Sequence, residues 1–407
     1  MKLLYIVQRY GEDIVGGSEA ACRSFAENLV CAGHDVEILT STAFDYVTWE
    51  NHYEPGISWI NGVKVNRLPV RAPRDPGQFG PQDQWLMNGQ RRALAFEQRR
   101  WAQLMGPELM GQREWLGDNS RRFDVAIFMT YLYATATLGI PMLAGRLPIV
   151  FQPTAHTEPA LRVPLFQYLF RQADAFLFFT PEERTIVRER FRFEPPGRVV
   201  GIGIETTPSK TTPLEIRGRL GVGDNPYVLY VGRLDPMKGV GELSRFFEHS
   251  SALRKHPNLK LVMAGADVAE FPPHQSIIKA GFLSEEQKHG AIAESLALIQ
   301  PSYFESFSIV LCEAWVQSRP ALVQGKCTVL RGQAERSQAA IPYNGFAQFD
   351  ESLSFLVENS DVREELGENG LSYVRNCYSW PTVLEHVAST IEIAQQRFAK
   401  RRYRFTL

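Results

Sequence analysis

A repeated alternation constrains the fold of this chain more than any other feature. Short β-rich apolar runs at residues 3–7, 36–39, 125–128, 149–151 and 176–179 are separated by longer helical patterns, such as 18–32 and 161–172. The runs are continuous and lack the apolar–polar alternation of a strand with one wet face. They therefore predict parallel strands covered by helices on both sides. The series stops near Gly201-Ile202-Gly203-Ile204, and Thr206-Thr207-Pro208-Ser209-Lys210-Thr211-Thr212-Pro213 has linker composition. A second series then places strands at 227–231, 259–264, 297–300 and 321–323. We expect an α/β chain of two Rossmann-like domains, 1–205 and 206–379, followed by a terminal helical segment, 380–407. Its helical pattern covers 381–396 and begins on Pro381, a residue suited to a first helical turn.

A length of 407 residues is too great for one ordinary core, which fits this division. The formal net charge of -1 gives no global reason to expect nucleic acid or an anionic membrane, so either contact would need a local patch. Cys22, Cys31, Cys312, Cys327 and Cys377 are scattered and odd in number, against a disulfide framework or zinc site. The apolar start ends at Gln8-Arg9 and reads as a first strand. No run approaches the roughly 18 apolar residues of a membrane span, and a cytoplasmic location is expected.

Two regions fit the alternation poorly. Residues 41–82 are rich in aromatics, Pro and Gly. Residues 85–122 carry the pairs Arg91/Arg92, Arg99/Arg100 and Arg121/Arg122 among Trp85, Phe96, Trp101 and Trp115. These pairs read either as a solvated helix face or as a peripheral docking surface for an anionic or lipid-linked acceptor.

Four constellations could carry chemistry. The strand at 227–231 runs into Gly232-Arg233-Leu234-Asp235-Pro236-Met237-Lys238-Gly239. Cations just past the carboxyl end of a parallel strand sit where open α/β sheets bind ligands, and a planar fork plus a point charge suit a diphosphate. The strand at 297–300 leads into Pro301-Ser302-Tyr303-Phe304-Glu305-Ser306-Phe307-Ser308-Ile309-Val310-Leu311-Cys312-Glu313. A helix starting near Ile309 would put its amide-rich end between Glu305 and Glu313, matching a ligand with phosphate at its middle and hydroxylated rings at both ends.

The third constellation, Gln8-Arg9-Tyr10-Gly11 followed by Gly16-Gly17-Ser18-Glu19, makes another phosphate-sized turn, with Ser18 as a candidate cap. It lacks G-x-G-x-x-G and a ribose-binding acid, which disfavours a nicotinamide site. The fourth is His156 in Gln152-Pro153-Thr154-Ala155-His156-Thr157-Glu158, at a strand's carboxyl end, where it either meets a ligand or stabilises its turn. By contrast, Thr180-Pro181-Glu182-Glu183 reads as a capping box, which needs no functional explanation.

Together these motifs resemble the retaining glycosyltransferases of group 1, or family 4, with the GT-B fold. The resemblance spans nearly the whole chain: G-G-x-E, G-R-x-x-x-x-K-G, Gly281-Phe282-Leu283 before a helix, and E-x7-E. It implies two Rossmann-like domains facing each other across a cleft, and a last helix crossing back to the N-terminal domain. It also implies that Arg233 and Lys238 neutralise the donor diphosphate. Glu313 would hold the ribose and Glu305 the transferred sugar, with the amides of Phe307, Ser308, Ile309 and Val310 nearby. Gly281 and Phe282 would lie near the base, Gly16 and Gly17 near the diphosphate, and His156 near the reacting carbon. The usual E-G-F-G stands here as Glu305-Ser306-Phe307-Ser308, and a positive φ at either serine would be strained. The Gly-rich loop with a Glu that the family often carries is replaced by Gly325-Lys326-Cys327-Thr328, so no role is carried over there.

The expected reaction is transfer of a hexose-type sugar from a nucleoside diphosphate to a glycan, lipid-linked or small-molecule hydroxyl. Neither metal nor cofactor is expected. The rivals are a sugar-nucleotide epimerase or phosphorylase of related architecture, and a non-catalytic nucleotide-sugar-binding subunit.

Overall fold

The computed structural model describes residues 1–14, 16–89, 92–206, 210–266 and 274–403, with Arg402 and Tyr403 described for their backbone only. Thr207, Pro208 and Ser209 of the expected linker and Arg91 of the first arginine pair lie outside the described residues. The chain divides into two compact units, Met1–Gly203 with Trp380–Leu407, and Ile204–Ser379.

The first unit is built on an eight-stranded sheet: β1 (Lys2–Ile6), β2 (Asp35–Ser41), β3 (Gly56–Ile60), β4 (Val63–Leu68), β5 (Val125–Met129), β6 (Ile149–Gln152), β7 (Ala175–Phe178) and β8 (Gly197–Val199). The spatial order is β3-β4-β2-β1-β5-β6-β7-β8, and only β3 runs antiparallel to its neighbour. Every residue of β5, β6 and β7 is buried, which is why their sequences read as unbroken apolar runs. The β3–β4 hairpin occupies the region 41–82 that matched no alternation. Its outer strand is mostly exposed, so it carries little apolar signal.

The helix Trp380–Tyr403 belongs to this unit and packs along β6, β7 and β8. Val383, Val387, Ile391 and Ala394 fall on one face at helical spacing and are fully or almost fully buried. Each of the larger three contributes about 1.5–3 kcal/mol by leaving water. Arg198 Nε donates to Ser389 Oγ at 2.8 Å, and Arg401 pairs with Asp174 at 3.0 Å. The unit boundary falls two residues earlier than the expected 205/206. Gly203 lies flat on the Trp380 ring, where a Cβ would come within 2.2 Å of it, and so packs with the first unit.

The second unit holds a six-stranded, all-parallel sheet: β9 (Tyr227–Val231), β10 (Lys260–Ala264), β11 (Ile277–Gly281), β12 (Leu298–Gln300), β13 (Ala321–Gln324) and β14 (Ala340–Tyr343). The order β11-β10-β9-β12-β13-β14 reverses direction between β9 and β12. In an open α/β sheet the crevice beyond the carboxyl ends of such strands is where ligands bind. Its core joins Val228, Tyr230, Leu261, Met263, Ile299 and Leu322.

Three local expectations are corrected. The helix pattern over 161–172 is split into a 3-10 turn, Pro159–Arg162, and a helix, Pro164–Phe170, because Pro164 lacks the amide that would join them. Ser18 does not cap the first helix: Gly16 is the N-cap of Gly17–Cys31, and the Ser18 hydroxyl donates to Glu19 Oε2 at 2.7 Å. One of the four tryptophans and phenylalanines set among the arginine pairs is not available for docking, and a second is partly covered. Trp101 is fully buried with its indole donating to Asp83, and half-buried Trp115 stacks on Phe123. Arg122 likewise pairs with buried Glu37 at 2.6 Å.

Candidate functional site: a diphosphate-sized cavity at the switch point of the second sheet

The loops after β9 and β12 meet at the reversal point and line an open cavity of about 140 Å³. Gly232, Lys238, Glu305, Ser308, Ile309 and Val310 contribute to its lining. A volume below the roughly 300–1,000 Å³ of a complete small-molecule site suits the middle of a ligand.

The β9 loop is shaped locally. Asp235 Oδ1 accepts from the Met237 amide at 2.9 Å and caps a 3-10 turn, Pro236–Lys238, which brings Lys238 back toward the strand end. Gly239 then takes φ 76° to start the helix Val240–Glu248. A Cβ there would lie 2.5 Å from the Pro301 carbonyl, so the β9 and β12 loops can meet this closely only through a glycine. Lys238 Nζ donates to Glu305 Oε1 at 2.7 Å, and the Glu305 side chain is 14% exposed. Arg233 sits apart from the cavity lining, with Nη2 3.7 Å from Asp235 Oδ2.

The helix after β12 begins at Ile309, as its sequence predicts, and runs to Val316. Ser308 is its N-cap and adopts φ 71°, ψ 78°. Of the two serines standing where the resembled family carries glycine, Ser308 takes the left-handed conformation and Ser306 does not. Gln300 Nε2 donates to Ser308 Oγ at 3.0 Å, which holds the strained residue in place. Gln333 Nε2 donates to the Phe307 carbonyl at 2.7 Å, and the buried Phe307 ring meets Tyr378 edge-on. The amide-rich end of the helix thus faces the cavity from a loop fixed on both sides.

Glu313 lies one turn inside this helix, and the next helix in contact, Glu285–Ala293, approaches it with two bases. Lys288 Nζ is 2.7 Å from Glu313 Oε1 and 2.8 Å from Glu285 Oε2, while His289 Nε2 is 3.9 Å from Glu313. Burial pushes the Glu313 carboxyl up, but the nearby His289 imidazole and the Lys288 ammonium outweigh it and hold it below the usual range. Glu285, His289 and Glu313 bring possible metal-ligand atoms within 4.8 Å of one another. The Lys288 ammonium already stands against both of those carboxylates. Lys288 and His289 lie in the helix that follows Gly281-Phe282-Leu283, and motif reading did not single them out. Gly281 ends β11 at φ 68°, next to Phe282, whose ring is largely exposed.

The remaining expected residues lie in the first unit. Gly16 and Gly17 begin the first helix at the carboxyl side of β1. Their turn is locked by a buried ion pair that motif reading did not single out. Arg9 Nε and Nη2 reach Glu19 Oε1 at 2.9 and 2.5 Å, and Arg9 Nη1 donates to the Phe44 carbonyl at 2.6 Å. A Cβ on Gly16 would press within 2.5 Å of Glu19 Oε2, whereas one on Gly17 would meet nothing within 4 Å. His156 follows β6, with Nε2 3.7 Å from Glu158 Oε1, and that oxygen accepts from Tyr131 Oη at 2.5 Å.

Two Rossmann-like α/β units, the second with a cavity at the switch point of its sheet, match the GT-B class of fold. Residues 214–372 match the model for glycosyl transferases group 1, and residues 16–203 match a glycosyl transferase 4-like domain. The chain belongs to the group 1, family 4 glycosyltransferases. An uncharacterized glycosyltransferase of Methanocaldococcus jannaschii is 24% identical, covering 98% of this chain and 100% of the relative. Among solved structures, Anabaena HepE in complex with UDP and glucose superposes with a TM-score of 0.68 at 15% identity, over 96% of this chain and 99% of that one. An E. coli trehalose-6-phosphate protein bound with UDP-2-fluoro glucose gives 0.70 at 11% identity, over 96% and 99%. Those two likenesses establish the fold.

Proposed function

We propose that this glycosyltransferase moves a hexose-type sugar from a nucleoside diphosphate to an acceptor hydroxyl with retention of anomeric configuration, and without a metal. One observation carries the reading: Lys238, Glu305 and the first turn of the Ile309–Val316 helix converge on one cavity, with Glu313 a turn beyond. A diphosphate in the cavity puts the sugar toward Glu305 and the nucleoside toward Glu313. UDP or a UDP-sugar in the HepE and E. coli structures supports a donor of this kind.

Charge accumulates on the leaving diphosphate as the bond from the anomeric carbon to its oxygen breaks. Lys238, Arg233 and the helix amides offset that charge, which in a closed site is commonly the largest single contribution to rate. The acceptor oxygen bonds to the same face of the anomeric carbon and passes its proton to a diphosphate oxygen. His156, Gly16 and Gly17 serve the same donor, as the family resemblance implies, and Gly281 and Phe282 stand at the base.

The acceptor side carries one further reading. Arg92, Arg99 and Arg100 are exposed beside Trp85, Leu94 and Phe96, whose side chains are also exposed. Cations interleaved with exposed aromatics suit an anionic lipid surface or a lipid-linked acceptor, and vesicles with and without phosphatidylglycerol separate this from a bare solvated face. No helix among the described residues is long and apolar enough to cross a membrane, so such contact would be peripheral.

The test is a donor panel of UDP-, GDP- and ADP-hexoses with glycan and lipid acceptors, with the product anomer assigned by NMR. An axial-for-axial or equatorial-for-equatorial product supports the reading, and inversion overturns it. Donor binding without turnover on any acceptor favours the binding-subunit alternative, and an epimer formed without acceptor favours the epimerase.

A further inference from the structure

Glu183 reads in sequence as the third residue of a capped helix, and Thr180 Oγ1 does accept its amide at 3.2 Å. Its carboxylate acts elsewhere. The side chain is fully buried at the start of the helix Pro181–Phe191, where Oε2 accepts from the Phe179 amide at 2.7 Å. Oε1 reaches across to the Ala155 amide, also at 2.7 Å. Ala155 is the residue before His156, and it follows Thr154, a β-branched residue held at φ 55°. Such a conformation is costly and persists only where surrounding contacts dictate it. Burial pushes the Glu183 carboxyl up to about 8, against backbone hydrogen bonds from Phe179, Ala155 and Thr154 that lower it. A helix cap needs one side-chain acceptor at the helix start, whereas this carboxyl turns one oxygen to the Phe179 amide and the other to the Ala155 amide in the loop after β6.

We propose that Glu183 is a positioning residue: its carboxylate fixes the backbone of the loop after β6 and so sets where the His156 imidazole stands during sugar transfer. Tyr131 ties the two ends of the loop, its amide donating to the Pro153 carbonyl at 3.0 Å and its Oη to Glu158. Glu183 holds the backbone between them at Ala155, the residue directly before His156. This inference rests on the reading of His156 as a group that meets the transferred sugar.

Glu183→Gln keeps the shape but places an amide donor against one of the two backbone N–H groups. Turnover in this variant falls by about 10–100-fold, the range expected from a small misplacement of a reacting group. Affinity for whichever of UDP, GDP and ADP the wild type binds best stays within about twofold, and a wild-type circular dichroism spectrum with cooperative unfolding shows that the unit carrying Glu183 is folded. Exchange of the Ala155 amide quickens. The variant His156→Ala/Glu183→Gln is no slower than His156→Ala alone, because residues acting through one another are not additive. Losses that multiply in the double variant, or a Glu183→Gln enzyme with wild-type turnover beside an impaired His156→Ala enzyme, overturn the proposal. Wild-type turnover in His156→Ala instead overturns the reading of His156 on which it rests. Should Glu183→Gln fail to fold, Glu183→Asp, which keeps the carboxyl but falls one methylene short, is measured in the same way.

Discussion

The Lys238 ammonium lies 2.7 Å from the Glu305 carboxylate, joining the loops after β9 and β12 at the mouth of the cavity. The pair places the cation assigned to the diphosphate beside the carboxylate assigned to the sugar. On the proposed reading, a bound diphosphate competes with Glu305 for Lys238 and leaves the carboxylate open to sugar hydroxyls. Lys238→Ala is expected to lower turnover by about 10²–10³, the usual effect of losing one such donor. Thermal unfolding should move little, because a partly exposed ion pair contributes at most about 1 kcal/mol. Arg233→Ala should also lower turnover, but less, since Arg233 is turned toward Asp235 and does not line the cavity. Steady-state rates beside melting curves check both variants.

Ser308 offers a test of backbone strain. A left-handed conformation costs a non-glycine residue roughly 1–2 kcal/mol. Ser308→Gly removes that cost but loses the hydrogen bond from Gln300, worth about 0.5–1.5 kcal/mol. Its stability should therefore lie close to wild type. Ser308→Ala keeps the strain and loses the bond, so it should be the less stable of the two by about 1–2 kcal/mol. Urea unfolding of the three proteins decides the order.

Glu183 gives a pH dependence with a defined sign. Its carboxyl titrates near 4.5 in an unfolded chain and is pushed up to about 8 in the fold. Between those values the unfolded state releases a proton that the folded state keeps. Its contribution to stability is therefore intact below about 4.5 and is lost as pH rises through about 8. The drop in unfolding midpoint from about pH 5 to about pH 8.5 should be smaller in Glu183→Gln than in wild type. Equal drops in both proteins contradict this.

Transfer should proceed with excess chelator present. On the proposed reading, Lys238 and the Ile309–Val316 helix end, with Arg233 further off, supply the positive charge that a divalent ion would otherwise bring, and Lys288 stands against both carboxylates of the Glu285, His289 and Glu313 group. Nearly complete loss of rate, restored by Mg²⁺ or Mn²⁺, would contradict that expectation.

The features legible in the sequence are those written in contiguous residues. Strands buried on both faces, such as β5 and β9, appear as apolar runs, and the Ile309 helix start follows from the turn before it. β11 and β14 are partly exposed edge strands, and β14 contains Pro342, so neither makes such a run. The departure at Ser308 could be located, but only the backbone shows that it, and not Ser306, takes positive φ. Lys288 beside Glu313 joins two helices 25 positions apart, and Glu183 reaches Ala155 across 28. Contacts of that kind are made by packing and leave no trace in local pattern. Glu183 also had a sufficient local explanation as a cap, which concealed its second role.

The central claim is that the donor lies along the Ile309–Val316 helix, with the diphosphate at its start, the nucleoside toward Glu313 and the sugar toward Glu305. Calorimetric titration of a nucleoside diphosphate into wild type, Glu313→Gln and Glu305→Ala tests it most directly. Glu313→Gln should weaken binding by roughly 1–3 kcal/mol, a lost hydrogen bond to a charged group. Glu305→Ala should leave nucleotide affinity nearly unchanged and lower turnover, since its contact exists only when a sugar is attached. Equal effects of the two substitutions on nucleotide binding would contradict this placement of the donor.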